Sequence, residues 1–194
     1  GQRLATQDVA FMDAPVSGGQ QGAASGTLTC MVGGSVDSFE KCKSALSAFC
    51  STITHVGNIG AGQTVKACNQ VAVAGAMLGV SDAIALAKSQ GVDLNIMRDV
   101  LLGGAARSFS MEKHAPRIIE ENFAPGFRAR LMRKDLRLAL EAANASNTPM
   151  SAAAVAEALL DAMCESGNGD LDWSAVAVEA QRRAPSQSKS ASGL

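Results

Sequence analysis

The chain has 194 residues, 47% of them hydrophobic and 18% charged, with a formal net charge of −1. That is enough for one large domain or two small ones with a packed core, and the near-neutral balance gives no electrostatic basis for holding nucleic acid or an anionic membrane. Five cysteines (Cys30, Cys42, Cys50, Cys68 and Cys164) without a CxxC argue against a disulfide framework and for a reducing compartment, and two distant histidines, His55 and His114, give no zinc-like spacing. The chain opens on Gly1 rather than Met, and "GQRLATQDVAF" reads as a helix end running into a strand, without the basic start or apolar run of a signal peptide. The expectation is therefore a start inside a larger polypeptide.

Residues 10–56 alternate strand-like and helix-like pieces. "AFMDAP" reads as a strand ended by Pro15, and "SGGQQGAASG" as a glycine-rich loop with a short helix. "TLTCMVGG" is a β-branched strand that stops at Gly33-Gly34. "SVDSFEKCKSALSAFC" is a helix capped by Ser35, and "STITHVG" is a further strand. This alternation predicts an α/β sheet, incomplete and parallel.

From Gly60 strand signals vanish. A long helix is expected over about 60–90, apolar on nearly all sides from Val71 to Lys88. Its length approaches that of a membrane span, but Asn69, Gln70, Ser81 and Asp82 lie along it, and a charge at mid-span costs about 2.5–3.5 kcal/mol. A helix buried by other helices, or across a dimer, is the better reading. Further helices are expected at 94–102, 105–120, 127–145, 149–165 and 172–184, followed by a polar, disordered tail at 185–194 that ends in SGL rather than the peroxisomal SKL.

"GNIGAG" (57–62) lies between a strand and a helix, but its glycines run G-x-x-G-x-G, not G-x-G-x-x-G, and Asp82 falls inside a helix rather than ending a second strand. It reads as a turn. Ser17, Gly18 and Gly19 place a hydroxyl and backbone N–H groups at the carboxyl end of a strand, a geometry suited to a carboxylate, although an ordinary tight turn explains them as well. Lys66, Asn69 and Gln70, at i, i+3 and i+4, share a helix face. A lone ammonium there has no help from the helix dipole, and partial burial would lower its pKa toward proton transfer. A solvated face is the plain alternative.

"DAPVSGGQQGAASGTL" followed by "GAGQTVKACNQ", "NFAPGFRARLMRKDLRLAL" and "GDLDWSAV" closely resembles the β-hydroxyacid dehydrogenases over about residues 1–184. The resemblance implies an α/β fragment, the end of a Rossmann-type nucleotide-binding domain (1–57), followed by an all-α domain like that of 6-phosphogluconate dehydrogenase (58–184), joined by a long interdomain helix. It implies Lys66 as catalytic acid/base, and Ser17, Gly18, Gly19, Asn69 and Gln70 as substrate-binding residues. Lys134 and Phe127 become cofactor-binding, with a solvated lysine and a core phenylalanine as their alternatives. NAD or NADP is the implied cofactor and a small hydroxyacid or its semialdehyde the substrate, most like that of 2-hydroxy-3-oxopropionate reductase or 3-hydroxyisobutyrate dehydrogenase. Neither metal, nucleic acid nor membrane is implied. A homodimer or homotetramer through the helical domain and a cytoplasmic or mitochondrial location are. The pyrophosphate site is expected to lie upstream, so the fragment alone should be inactive. The rival reading is a non-catalytic relative that uses the helical domain as an oligomerisation scaffold. Ser17 and Lys66 are expected to face one cleft.

Overall fold

The computed structural model describes residues 1–7 and 9–183; the expected tail at 185–194 lies outside them. The N-terminal part runs α1 (Gln2–Ala5), β1 (Val16–Ser17), α2 (Gly19–Ser25), β2 (Leu28–Gly33), α3 (Val36–Leu46) and β3 (Cys50–Gly57), with the strands side by side in chain order. Leu28, Cys30 and Val32 of β2 meet Phe39 of α3 and Cys50 of β3 in a small core. Ser35 begins α3 as expected, its hydroxyl accepting the Ser38 N–H at 3.2 Å. Burial pushes the Cys30 thiol up to about 11, with the neighbouring Cys50 adding to the shift.

The sheet is mixed, not parallel throughout. β2 and β3 pair in parallel across α3, but β1 and β2 are antiparallel, with Val16 opposite Cys30 and Ser17 opposite Thr29. A parallel crossover needs roughly a dozen or more residues, and only residues 18–27 separate β1 from β2. The expected strand over "AFMDAP" is also reduced to one bridge, Asp13 to Gly33, before β1 begins at Val16. Pro15 has no N–H for the ladder, although its carbonyl still accepts the Met31 N–H at 3.0 Å.

Beyond β3 all the named elements are helical. α4 (Ala61–Ser89) has 29 residues and extends roughly 44 Å. It is the one described helix long and apolar enough to cross a membrane by length and composition. Its buried positions Gln70, Ala74, Met77, Val80, Ile84 and Ala87 recur at helical spacing. The apolar ones among Ala74–Ile84 pack into the main core with Met111, Met132, Leu136, Leu160, Met163 and Trp173, so the helix serves as the core element of the second domain.

α5 (Leu94–Leu102), α6 (Ala115–Ile119), α7 (Ala129–Ala145), α8 (Ser151–Glu165) and α9 (Val176–Arg183) complete this layer. The helix expected over 105–120 starts late and contains a π turn, Ser110–His114. Pro116 cannot donate to the carbonyl four residues back, that of Glu112, and Arg98 donates to that carbonyl instead at 3.2 Å.

Candidate active site

After β1 the chain turns at Gly18 (φ 132°) and Gly19 (φ 62°) into α2. The positive φ is what favours glycine at Gly18; a Cβ there would also lie 2.9 Å from the end of the Leu28 side chain, which would have to shift. Ser17 is half-buried and the two glycines are exposed, which leaves the turn open to a ligand. Gln20, the next residue, lines a groove of about 330 Å³ with Pro125, Gly126, Arg128 and Leu131 of the helical domain. The turn therefore adjoins the junction between sheet and helices.

Lys66, Asn69 and Gln70 lie on the first turns of α4, against α7. Gln70 is buried; its amide N–H donates to Asp135 Oδ2 at 2.6 Å, and its amide oxygen accepts from Asn69 at 2.9 Å. Lys134 Nζ meets the other oxygen of Asp135 at 2.8 Å. Lys66 is half-buried beside this group. Burial pulls its pKa below the ordinary lysine value, Asp135 acts in the opposite sense, and Lys134 adds to the lowering.

Four expected site residues, Lys66, Asn69, Gln70 and Lys134, thus gather around the carboxylate of Asp135, to which the sequence reading gave no role. Asp135 is the inward member of the Lys134-Asp135 pair, its side chain 16% exposed against 61% for the lysine. The available signal was its place between Lys134 and the buried Leu136 on an amphipathic helix. Gln70 has both ends of its amide engaged within the protein, with Asn69 and with Asp135. Phe127 packs against the helical core, and its N–H is held at 3.0 Å by Asp172 Oδ2. No hydrogen bond or ion pair among the described residues joins Ser17, Gly18 or Gly19 to the Lys66 group.

The "GNIGAG" glycines are a turn. The Gly60 and Gln63 N–H groups at the start of α4 are both given to the carboxylate of Asp13, at 2.6 and 2.7 Å. These two N–H groups are therefore already taken and are not open to a nucleotide diphosphate.

Residues 60–179 match the family described as "NAD-binding of NADP-dependent 3-hydroxyisobutyrate dehydrogenase", and residues 1–57 match "NAD binding domain of 6-phosphogluconate dehydrogenase". The chain belongs to the β-hydroxyacid dehydrogenase family, in its 3-hydroxyisobutyrate dehydrogenase-like branch. It is 41% identical over 166 residues to the 2-hydroxy-3-oxopropionate reductase of Escherichia coli (strain K12), covering 86% of this chain and 57% of that protein. It is 36% identical over 182 residues to the mitochondrial 3-hydroxyisobutyrate dehydrogenase of Drosophila melanogaster, covering 90% and 56%. Among solved structures, that of the Mycobacterium tuberculosis 3-hydroxyisobutyrate dehydrogenase with L-serine superposes with a TM-score of 0.84 at 31% identity, covering 94% of this chain and 64% of that one. The chain thus spans little more than half the length of these curated relatives.

Proposed function

We propose that this chain is the substrate-side part of an NAD(P)-dependent oxidoreductase that interconverts a small β-hydroxyacid and its semialdehyde or oxo form. The observation that carries the reading is the half-buried Lys66 with its lowered pKa, next to Asn69 and framed by Gln70, Asp135 and Lys134. Lys66 is the acid/base: its ammonium gives a proton to the developing alkoxide in reduction, and its neutral amine takes the hydroxyl proton in oxidation. Asn69 carries two amide N–H groups, one used on Gln70, and offers the other to the substrate oxygen. The hydroxyl of Ser17 and the backbone at Gly18 and Gly19 anchor the substrate carboxylate, which fixes the reacting carbon. Lys134 and Phe127 hold NAD or NADP near its reacting end. When bound, that cofactor supplies or accepts the hydride.

The unit boundary lies at residues 57 and 58, with residues 1–57 belonging to the nucleotide-binding domain and 58–184 forming the substrate domain. The identity to the Escherichia coli reductase supports 2-hydroxy-3-oxopropionate as the first substrate to try, with 3-hydroxyisobutyrate second. The exposed apolar side chains Leu86, Val92, Ile96 and Val100 support a homo-oligomer through the helical domain. Relatives named as mitochondrial and bacterial leave the cytoplasm and the mitochondrion as the two candidate locations.

Reduced-nicotinamide absorbance is the direct assay. The full-length protein is expected to turn over one of these β-hydroxyacid pairs with NAD or NADP. Lack of turnover of the whole panel by folded protein with either cofactor overturns the proposal. A finer expectation concerns pH. Oxidation needs the neutral amine, so kcat/KM rises with pH through the Lys66 pKa. Asp135→Asn removes the carboxylate that stabilises the ammonium, so the acid limb should move to lower pH; Lys134→Met should move it higher. Limbs that stay in place in both variants would assign the titration to another group.

A further inference from the structure

We infer that Asp13 is a positioning residue for this site, tying the bridged segment that leads into β1 and the Ser17 turn to the first turn of α4 and so fixing the two halves of the substrate cleft against each other. The inference rests on the proposed function. A helix start leaves four N–H groups without intrahelical partners, and a nearby Ser, Thr, Asp or Asn normally serves them. α4 has Gly60 at that position, with φ 95° and no capping side chain. The cap comes instead from far away in sequence: Asp13 Oδ1 accepts the Gly60 N–H and Oδ2 the Gln63 N–H.

The backbone of Asp13 is fixed as firmly as its side chain. Its N–H donates to the Gly33 carbonyl at 3.0 Å, and its carbonyl accepts the Gly33 N–H at 2.8 Å. Gly33 and Gly62 make the space, since a Cβ at either would overlap the carboxylate. Asp13 is only 8% exposed, so solvent does not compete strongly for it. Its carboxylate also sits at the positive end of the helix, where the dipole favours an anion. Four residues beyond Asp13 stands Ser17, and three beyond Gln63 stands Lys66. One carboxylate therefore sets the offset between the proposed carboxylate anchor and the proposed proton donor.

Asp13→Asn keeps the shape but leaves one acceptor oxygen for two N–H donors. With one hydrogen bond unmade the helix start opens more readily, so hydrogen exchange at Gly60 and Gln63 should quicken about tenfold or more, while Ala74–Ala87 keep wild-type rates. In the full-length enzyme, normalised for folded protein, KM for the hydroxyacid should rise about tenfold and the primary deuterium isotope effect on kcat should change. A helix cap without a positioning role lowers the folded fraction, which scales kcat but leaves KM and the isotope effect alone. Wild-type values of both, or unchanged exchange at Gly60 and Gln63, overturn the inference. If Asp13→Asn does not fold, Asp13→Glu, which keeps both acceptors but displaces them, is read in the same way. Failure of the proposed function would appear in the wild-type enzyme, whereas failure of this inference appears only in the variants, and the exchange measurement needs no substrate.

Discussion

Lys66→Ala is expected to lower kcat of the full-length enzyme by about 10²–10⁴-fold, the usual contribution of a positioned general acid–base group. Lys66→Arg should fail almost as badly, because guanidinium stays protonated and cannot take the hydroxyl proton in oxidation. A third substitution, Lys66→Met, separates chemistry from folding. Burial pulls the Lys66 pKa below that of a free lysine, with Lys134 adding to the effect against Asp135. The folded state then binds this proton less tightly than the unfolded chain does, so at neutral pH the charge subtracts from stability and the loss is relieved only as pH rises through the folded pKa. Lys66→Met, which keeps the stem and removes the charge, should therefore match or exceed the wild-type melting temperature while remaining inactive. A near-wild-type rate in the arginine variant would remove Lys66 from proton transfer; a large loss of stability in the methionine variant would make it a structural residue.

The long helix, the helical second layer and the Lys66-Asn69-Gln70 face were legible because each is a periodic or local pattern: apolar residues at helical spacing on α4, and polar side chains one turn apart. The sheet was legible only as far as its composition. The alternation of strand and helix suggested parallel pairing, and the direction of β1 turned on the ten residues 18–27 that separate it from β2. What could not be seen were the polar contacts between distant segments. Asp13 reads as a strand residue before a proline, and nothing local says that its carboxylate serves Gly60 and Gln63. Asp135 has no role in the sequence reading until α4 is laid against α7 and Gln70 reaches it. Carboxylates of this kind are set by tertiary packing, which leaves no period in the sequence.

Asp172 is the third such carboxylate, and removing it should carry the largest cost to folding. The side chain is 1% exposed as a residue. Its Oδ2 accepts the N–H groups of Gly126 and Phe127, both at 3.0 Å, and its Oδ1 accepts the Ser174 hydroxyl at 2.6 Å and the Ser174 N–H at 3.1 Å. Arg117 Nε faces Oδ1 at 3.5 Å, and the same guanidinium donates to the Ala124 carbonyl, so residues 124–127 are held from two sides. Burial alone would raise the pKa of Asp172; the Ser174 hydroxyl and the N–H groups of Phe127, Ser174 and Gly126 outweigh it and hold the carboxyl below its ordinary value of 3.8. Asp172→Ala leaves these donors and Arg117 without their acceptor. A loss of roughly 3 kcal/mol is expected, from the cost of breaking a buried charged pair, which is about 6–12 °C in melting temperature for a domain of this size. Asp172→Asn fills the space but turns an NH2 toward donors, so it should lose much of the same stability. The sign with pH follows from the depressed pKa. The advantage of wild type over Asp172→Asn is complete above the ordinary value of 3.8 and is lost as pH falls through the lower folded value. Urea midpoints of both proteins between about pH 7 and pH 2 would show the two curves converging at the acid end. Because the segment Asp172 holds carries Phe127 and borders the groove beside Gln20, the variant should also bind cofactor or substrate more weakly at pH 7, where it remains folded. Parallel stability curves across the whole range would mean that Asp172 is not ionised in the folded protein, and its grip on the 124–127 segment would then have to come from packing alone.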